Sequence, residues 1–306
     1  MARAATPSDA IVLPGVLEAL ATTKAMVARS VASLSAADPG RFGPGSVSWR
    51  IFGHASYAAS GVAAVLAQAL HPVAMAAVDA HSAFRSDAWR RAHMTADYVF
   101  TITFGSRSTA DAAAARVRAI HAQVAGIEPE CGRAYRADDP DLLLWIHCVH
   151  TDYALRGYEA LVRSLPEADA DRFVAEQVEA ARLVGLDPAL VPASRASLER
   201  FLASVEGLRA TAPALRFASM LLAARMPPAM RPFYALHLAA AVSLLPDEVR
   251  AAYGLPRHLR GRAARTLARA AFRAIDFGYL LFRPVRRARA KLRRVERAAR
   301  GPKTPR

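Results

Sequence analysis

Cysteine is scarce in this sequence, and the short motifs that mark many enzyme classes are absent. Its two cysteines, Cys131 and Cys148, in 306 residues are too few for a disulfide framework and lie in no CxxC spacing, which indicates a reducing compartment. No Walker loop, GxGxxG, GxSxG or HExxH motif occurs. The sequence therefore offers no motif for a nucleotide-binding enzyme, a serine hydrolase or a zinc protease.

Alternating strand patterns and long apolar runs are lacking as well. The longest apolar stretches, 58–70 and 234–245, are interrupted and too short to cross a bilayer, and the N-terminus has no signal-peptide pattern. We expect a cytoplasmic protein, with any membrane attachment peripheral and at the inner face. Alanine dominates the composition. Because alanine has the highest helix propensity, the sequence predicts an all-α fold, a single multi-helix globular domain with a basic C-terminal helical tail.

The positive charge is concentrated at one end of the chain. Residues 257–306 hold 17 of the 41 Lys and Arg and 2 of the 26 Asp and Glu, so this segment alone accounts for the net charge of +15. We divide the chain into an N-terminal helix (1–40), a helical body (41–256) and a basic amphipathic extension (257–306). The stretch 283–306 predicts binding to an anionic membrane surface. Nucleic acid is a weaker candidate because few aromatic residues are interleaved with the charges, and an exposed extension without a partner is the alternative.

Proline and glycine mark the ends of the predicted helices. His71-Pro72 predicts a break after an apolar helix, because proline disfavours the α conformation in the residue before it. Asp139-Pro140 predicts the start of a long helix over 141–164, and Gly185 predicts the end of the next one. Residues 127–138 are predicted to form a loop.

Histidine is concentrated in one part of the chain, with seven of nine between residues 54 and 150. Imidazole is the commonest metal ligand near neutral pH, and a helical core can hold a metal or haem between its helices. His147 lies in an apolar helix, where its ring needs a partner, either a metal or a backbone carbonyl. His150 and Thr151 share its helix face and are candidate second ligands, whereas Asp152 is expected to cap or to pair with an arginine.

A second polar group, Arg91 and Thr95, lies four residues apart on another predicted helix. An arginine beside a hydroxyl suits a haem propionate, a bound oxygen species or a substrate carbonyl. The alternative is a surface arginine with a helix-facing threonine. His81 and His121 are further candidate ligands, and for both the alternative is a capping or interhelical hydrogen bond.

These groups belong to an ordered set of short motifs that resembles the catalytic domain shared by rubber oxygenases (latex-clearing proteins) and MpaB-type oxygenases. Each motif is weak alone, and the ordered set is more specific. The matching stretches are Gly43–Ser46, Trp49-Arg50, Gln68–Pro72, Asp79–Ser82, Arg91 with Thr95, Phe104–Ser106, Val117–His121, Tyr135–Pro140, Leu144–His147, Ala175-Glu176, Gly185-Leu186, Val191–Ser194 and Leu244–Pro246.

The resemblance implies an all-α fold and a haem b cofactor, with dioxygen as co-substrate. It assigns His147 as the proximal iron ligand and puts Arg91 and Thr95 on the opposite side of the haem. The family's RxxKT segment has a lysine where this chain has Met94. Met94 therefore excludes a distal lysine ligand at this position. Because a thioether also cannot donate a proton, polyisoprene is a less suitable substrate.

The function implied is that of a haem b-dependent oxygenase acting on a hydrophobic small-molecule or lipid-like substrate, by oxidative cleavage of a carbon–carbon double bond or by oxygen insertion. Two alternatives stay open. In the first, His81, His121, His147 and His150 bind iron directly, without haem. In the second, the chain is a non-enzymatic haem- or lipid-binding helical protein that is attached peripherally to membranes.

Overall fold

The computed structural model describes residues 25–82, 84–222, 228, 231–255, 266–273, 290–295 and 297, and these residues are predominantly helical. Three helices lack a described boundary and are written with numbers: α1 (25–32), α13 (266–273) and α14 (290–295). The others are α2 Val47–Phe52, α3 Tyr57–Gln68, α4 Pro72–His81, α5 Phe84–Phe104, α6 Arg107–His121, α7 Pro140–Leu161, α8 Glu167–Val184, α9 Arg195–Ser204, α10 Ala212–Leu222, α11 Arg231–Leu244 and α12 Asp247–Ala252, with a 3₁₀ turn at Pro188–Leu190. The all-α prediction is confirmed.

One small sheet interrupts the helices. Strands β1 (Ala125–Ile127) and β2 (Ala134–Arg136) pair antiparallel, with Gly126 opposite Tyr135. The loop prediction for residues 127–138 is therefore wrong over the strand residues. Gly126 allows this pairing because a Cβ there would lie 2.5 Å from the Tyr135 hydroxyl. The strands were not predicted because each has only three residues, too few for an alternating pattern to be recognised.

The predicted break at His71-Pro72 is confirmed. Helices α3 and α4 meet there at 107°. Pro72 is the first residue of α4, where its missing N–H removes no helical bond, and the His71 ring accepts a hydrogen bond from Ala74 N at 3.3 Å as the N-cap of α4. The predicted helix ends are also found at Pro140, which opens α7, and at Gly185, which has φ +104° after α8.

Helix α7 lies at the centre of the molecule and packs closely along α3. The contact uses small residues, and a Cβ added to Gly157 of α7 would lie 1.8 Å from the Ser60 hydroxyl of α3. Ala63 and Ala64 of α3 and Val149 of α7 are buried in the same apolar cluster. Because the two backbones approach so closely, the position of α7 depends directly on α3.

Helix α2 is anchored by a carboxylate from α8. Glu176 accepts hydrogen bonds from the backbone N–H groups of Val47 and Ser48, at 3.2 and 2.8 Å, and from the Ser48 hydroxyl at 2.7 Å. The first N–H groups of a helix have no partner within it, so this distant side chain caps α2. Its negative charge at a helix N-terminus is also favourable.

The C-terminal segment contributes to the core. In α13, Ala268 and Phe272 are buried in the cluster that contains Val149, and Arg269 donates to the Ala160 carbonyl of α7 at 2.6 Å. The division of the chain at residue 256 stays a prediction, but described residues on both sides of it share one apolar cluster. Among the described residues, no single helix is long and apolar enough to cross a membrane, while α3 and α4 pass that test only as a bent pair.

Candidate functional site

The candidate site is built on the first half of α7. Leu142, Trp145 and Val149 are buried there and face one core cluster, and Cys148 is buried in a second cluster. Leu143 and His147, one turn apart on another side of the helix, remain only partly covered. An apolar helix face that the described protein covers incompletely is a suitable wall for a bound molecule.

His147 projects from this partly covered face. Its ring hydrogen-bonds to none of the described residues. The surrounding protein removes most of the water from the ring. Burial, with a smaller contribution from nearby His150, lowers the pKa of His147 to about 3. The ring is therefore neutral at physiological pH, which is the form that binds a metal. A neutral imidazole without a protein partner on an apolar face is the donor that an iron porphyrin requires.

His150, one turn further along α7, has its own partners. Its Nε2 is 2.7 Å from the hydroxyl of Tyr57, the first residue of α3, and its ring stacks on Phe52 with centroids 5.6 Å apart. Burial lowers the pKa of His150 to about 4, so the neutral ring can accept from the Tyr57 hydroxyl. His150 is therefore held in place by Tyr57 and Phe52 and is not a free ligand. Asp152 pairs with Arg156 at 2.7 Å, as predicted.

The corner between α3 and α4 holds the histidine-bearing turn of α7. The Gln68 side-chain amide donates to the Ile146 carbonyl at 2.8 Å, and the Trp145 indole N–H donates to the Gln68 carbonyl at 3.1 Å. The His71 ring packs against the Trp145 ring with centroids 6.0 Å apart. These reciprocal contacts fix the turn that ends at His147.

Arg91 and Thr95 form a local pair on α5. The Arg91 guanidinium donates to the Thr95 hydroxyl, which itself donates to the Arg91 carbonyl at 3.2 Å. Arg91 keeps exposed surface, yet desolvation by the surrounding protein lowers its pKa. The exposed pair fits the alternative of a surface arginine beside a threonine that bonds to its own helix. Met94, between them in sequence, is 53% exposed.

His121, at the end of α6, lies close to Arg91. Its pKa is lowered by burial and then by the charge of Arg91, while Asp138 acts in the opposite direction. Its Nδ1 is buried, and no described group hydrogen-bonds to it. The charges of Arg91 on α5 and of Asp138, two residues before α7, therefore both act on the His121 ring.

A second link connects the other half of α5 to α7. Phe100 of α5 packs on the Tyr57 ring with centroids 5.9 Å apart, and Tyr57 bonds to His150. Phe100 thereby connects the C-terminal half of α5, through Tyr57, to the turn of α7 that carries His150.

Histidines predicted as additional iron ligands do not converge on one site. His81 is exposed and its ring packs edge-on against Tyr135, and His150 is bonded to Tyr57. Within the described ranges, no group of three or more His, Cys, Asp or Glu side chains is arranged to hold a metal ion. The side chains thus do not support iron bound directly by His81, His121, His147 and His150.

Comparison with known proteins gives a family for the fold. Residues 49–277 match the family model described as "ER-bound oxygenase mpaB/B'/Rubber oxygenase, catalytic domain". The chain belongs to this family. No curated protein and no solved structure matches significantly. The family match includes α2 to α13, and therefore also the residues of α13 that enter the core.

Family membership confirms the resemblance and establishes an oxygenase catalytic domain. The roles of His147, Arg91 and Thr95 stay predictions: His147 lies on a partly covered face of α7, and Arg91 and Thr95 form an exposed pair on α5. Sequence reasoning missed Tyr57 and Gln68 as supports of the site. Gln68 was within a matched motif, whereas nothing in the sequence marks Tyr57, because its contacts depend on the packing of α3 against α7.

Proposed function

We propose that the protein is a haem b-dependent oxygenase that holds iron through His147 and acts on a hydrophobic substrate containing a carbon–carbon double bond. The observation that carries this proposal is the neutral His147 ring, which lacks a protein partner among the described residues and lies on a partly covered apolar face. Membership of an oxygenase family supports the reaction class.

Each residue of the candidate site would have a separate role. His147 would ligate iron through one ring nitrogen, and the corner at Gln68 would keep the turn of α7 from shifting. Bound haem supplies the iron on which dioxygen is activated. Arg91, held by Thr95, would orient dioxygen, a substrate carbonyl or a propionate by charge-assisted hydrogen bonds.

The remaining groups would determine which substrate enters. Leu143 and Leu144 are partly buried and would contact an apolar chain. Met94 adds surface without a proton donor, so proton transfer on this side would depend on other groups. A neutral, long-chain alkene is the substrate class that fits these walls, and the product would be an aldehyde or ketone pair or an oxygenated alkene.

Absorption spectroscopy tests the cofactor. The wild type is expected to bind about one haem per chain and to show a Soret band, because a single axial histidine is sufficient for the attachment of haem b. His147→Ala should lose this band or shift it, and free imidazole should restore it. His81→Ala, at the exposed end of α4, is the matched control and should retain the wild-type spectrum. An unchanged haem stoichiometry and spectrum in His147→Ala would refute the assignment.

Oxygen consumption tests the activity. Haem-loaded protein should consume dioxygen in the presence of a long-chain alkene, and Arg91→Gln should reduce the rate by about 10- to 100-fold if a charge-assisted bond of roughly 1.5–3 kcal/mol is lost. Haem binding without any oxygen consumption over a panel of alkenes would favour the non-enzymatic haem-binding alternative.

A further inference from the structure

Helix α14, which lies beyond the family domain, is attached to the first described helix of the chain. The Lys291 ammonium donates to the carbonyl of Ala32, the last residue of α1, at 2.7 Å. The last carbonyls of a helix lack partners within it and carry partial negative charge. Lys291 therefore caps α1 and fixes α14 against it.

An apolar face of α14 supports the same attachment. Val295 is 7% exposed, and Leu292 packs against the core cluster that contains Met26 and Val31 of α1. Leu292 and Val295 are three residues apart and lie on one side of the helix. With Lys291 beside them, they determine which side of α14 faces the protein.

The opposite side of α14 presents positive charge to solvent. Arg293, Arg294 and Arg297 are exposed, and no ion pair joins them to a described carboxylate. The surrounding stretch 283–306 has eleven Lys and Arg and one acidic residue, Glu296. Docking of the apolar side therefore gives these charges a fixed outward direction, which a freely moving tail would lack.

The sequence beside this surface favours a lipid partner over nucleic acid. Residues 277–282, Phe-Gly-Tyr-Leu-Leu-Phe, are apolar and aromatic and come directly before the first arginine of the basic stretch. Aromatic and aliphatic residues next to Lys and Arg are typical of segments that bind at a membrane interface. Residues 283–306 contain no aromatic residue, whereas single-stranded nucleic acid is bound by aromatic side chains interleaved with charges.

We propose that the outer face of α14, formed by Arg293, Arg294 and Arg297, binds the surface of a bilayer that contains anionic phospholipid. The attachment of α14 to α1 would hold the oxygenase domain at this surface, where apolar substrates dissolve. The proposal does not depend on the haem assignment, because the arginines lie outside the family domain.

Vesicle co-sedimentation of the full chain tests this surface. The triple variant Arg293→Gln, Arg294→Gln, Arg297→Gln is compared with a control triple of exposed body arginines, Arg116→Gln, Arg163→Gln and Arg200→Gln, which removes the same charge. With vesicles of phosphatidylcholine and 30% phosphatidylglycerol, the α14 variant should lose about a hundredfold in partition coefficient, since each arginine contributes roughly 1 kcal/mol near such a surface. The control should lose at most a few-fold.

Three further results are decisive. Binding should weaken in 0.5 M salt, because screening shortens the range of the attraction, and it should be weak on pure phosphatidylcholine. Equal losses in the two triple variants would overturn the proposal, and so would equal binding to neutral and anionic vesicles. Tight binding to DNA together with no binding to anionic vesicles would also overturn it. Thermal melts of both variants exclude misfolding as the cause of a loss.

Discussion

We expect three desolvated, partly exposed histidines to make the stability of this protein depend on pH. Burial lowers the pKa of His147 to about 3 and the pKa values of His150 and His237 to about 4, from an ordinary value of 6.5. Below pH 6.5 the unfolded chain binds protons that the folded chain does not bind. The free energy of unfolding therefore falls as the pH falls from 6.5 towards 4, and above pH 6.5 these rings contribute no pH dependence.

The size of the effect follows from the shifts. A ring whose pKa changes from 6.5 in the unfolded chain to about 4 in the folded chain lowers the free energy of unfolding by about 1.8 kcal/mol between pH 7 and pH 5. Three rings together give about 5 kcal/mol, an upper figure because the rings keep some exposed surface. That is a large part of the roughly 5–15 kcal/mol by which domains are stable.

Urea unfolding at pH 7, 6 and 5, followed by far-UV circular dichroism, measures this dependence. His237→Leu removes one of the three rings, so the variant should lose about 1.8 kcal/mol less than the wild type between pH 7 and pH 5. His81→Leu removes an exposed ring and should follow the wild type. Carboxylates contribute little in this range, because they titrate mainly below pH 5. If His237→Leu shows the full wild-type pH dependence, burial does not hold this histidine in its neutral form.

Three further substitutions test the supports of the site. Gly157→Ala should destabilise the fold by about 2–4 kcal/mol, because its Cβ would overlap the Ser60 hydroxyl, and a second change, Ser60→Gly, should recover most of this loss in thermal melts. Glu176→Ala should cost about 1–3 kcal/mol, because it leaves the N–H groups of Val47 and Ser48 without their acceptor while the Ser46 cap remains, and an unchanged melting temperature would contradict that role. Tyr57→Phe should cost about 1–2 kcal/mol by leaving the His150 ring without its hydroxyl partner, while Tyr57→Leu should cost more because it also removes the ring contacts.

Local backbone chemistry was readable from the sequence. The break at His71-Pro72, the start of α7 at Pro140 and the end of α8 at Gly185 follow from the restricted dihedral angles of proline and the freedom of glycine. These dihedral preferences act over a few residues and need no tertiary contact. The helix boundaries predicted from them are confirmed.

Contacts between distant residues could not be predicted in the same way. The hydroxyl of Tyr57 reaches a histidine 93 residues away, and Lys291 caps a helix 259 residues before it. The sequence makes His121 a candidate ligand, but only the structure shows that the charge of Arg91 acts on its ring. Such pairings depend on the angles at which helices cross, and a single sequence does not specify these angles through any local pattern.

The bend between α3 and α4 makes the turn that carries His147 sensitive to residues that do not contact it. Since the Gln68 amide and the Trp145 indole each engage the other's segment, a rotation of α3 would be transmitted to the imidazole of His147 as a tilt. Variation in the apolar packing of α3 would then change the orientation of this ring without any substitution on α7 itself.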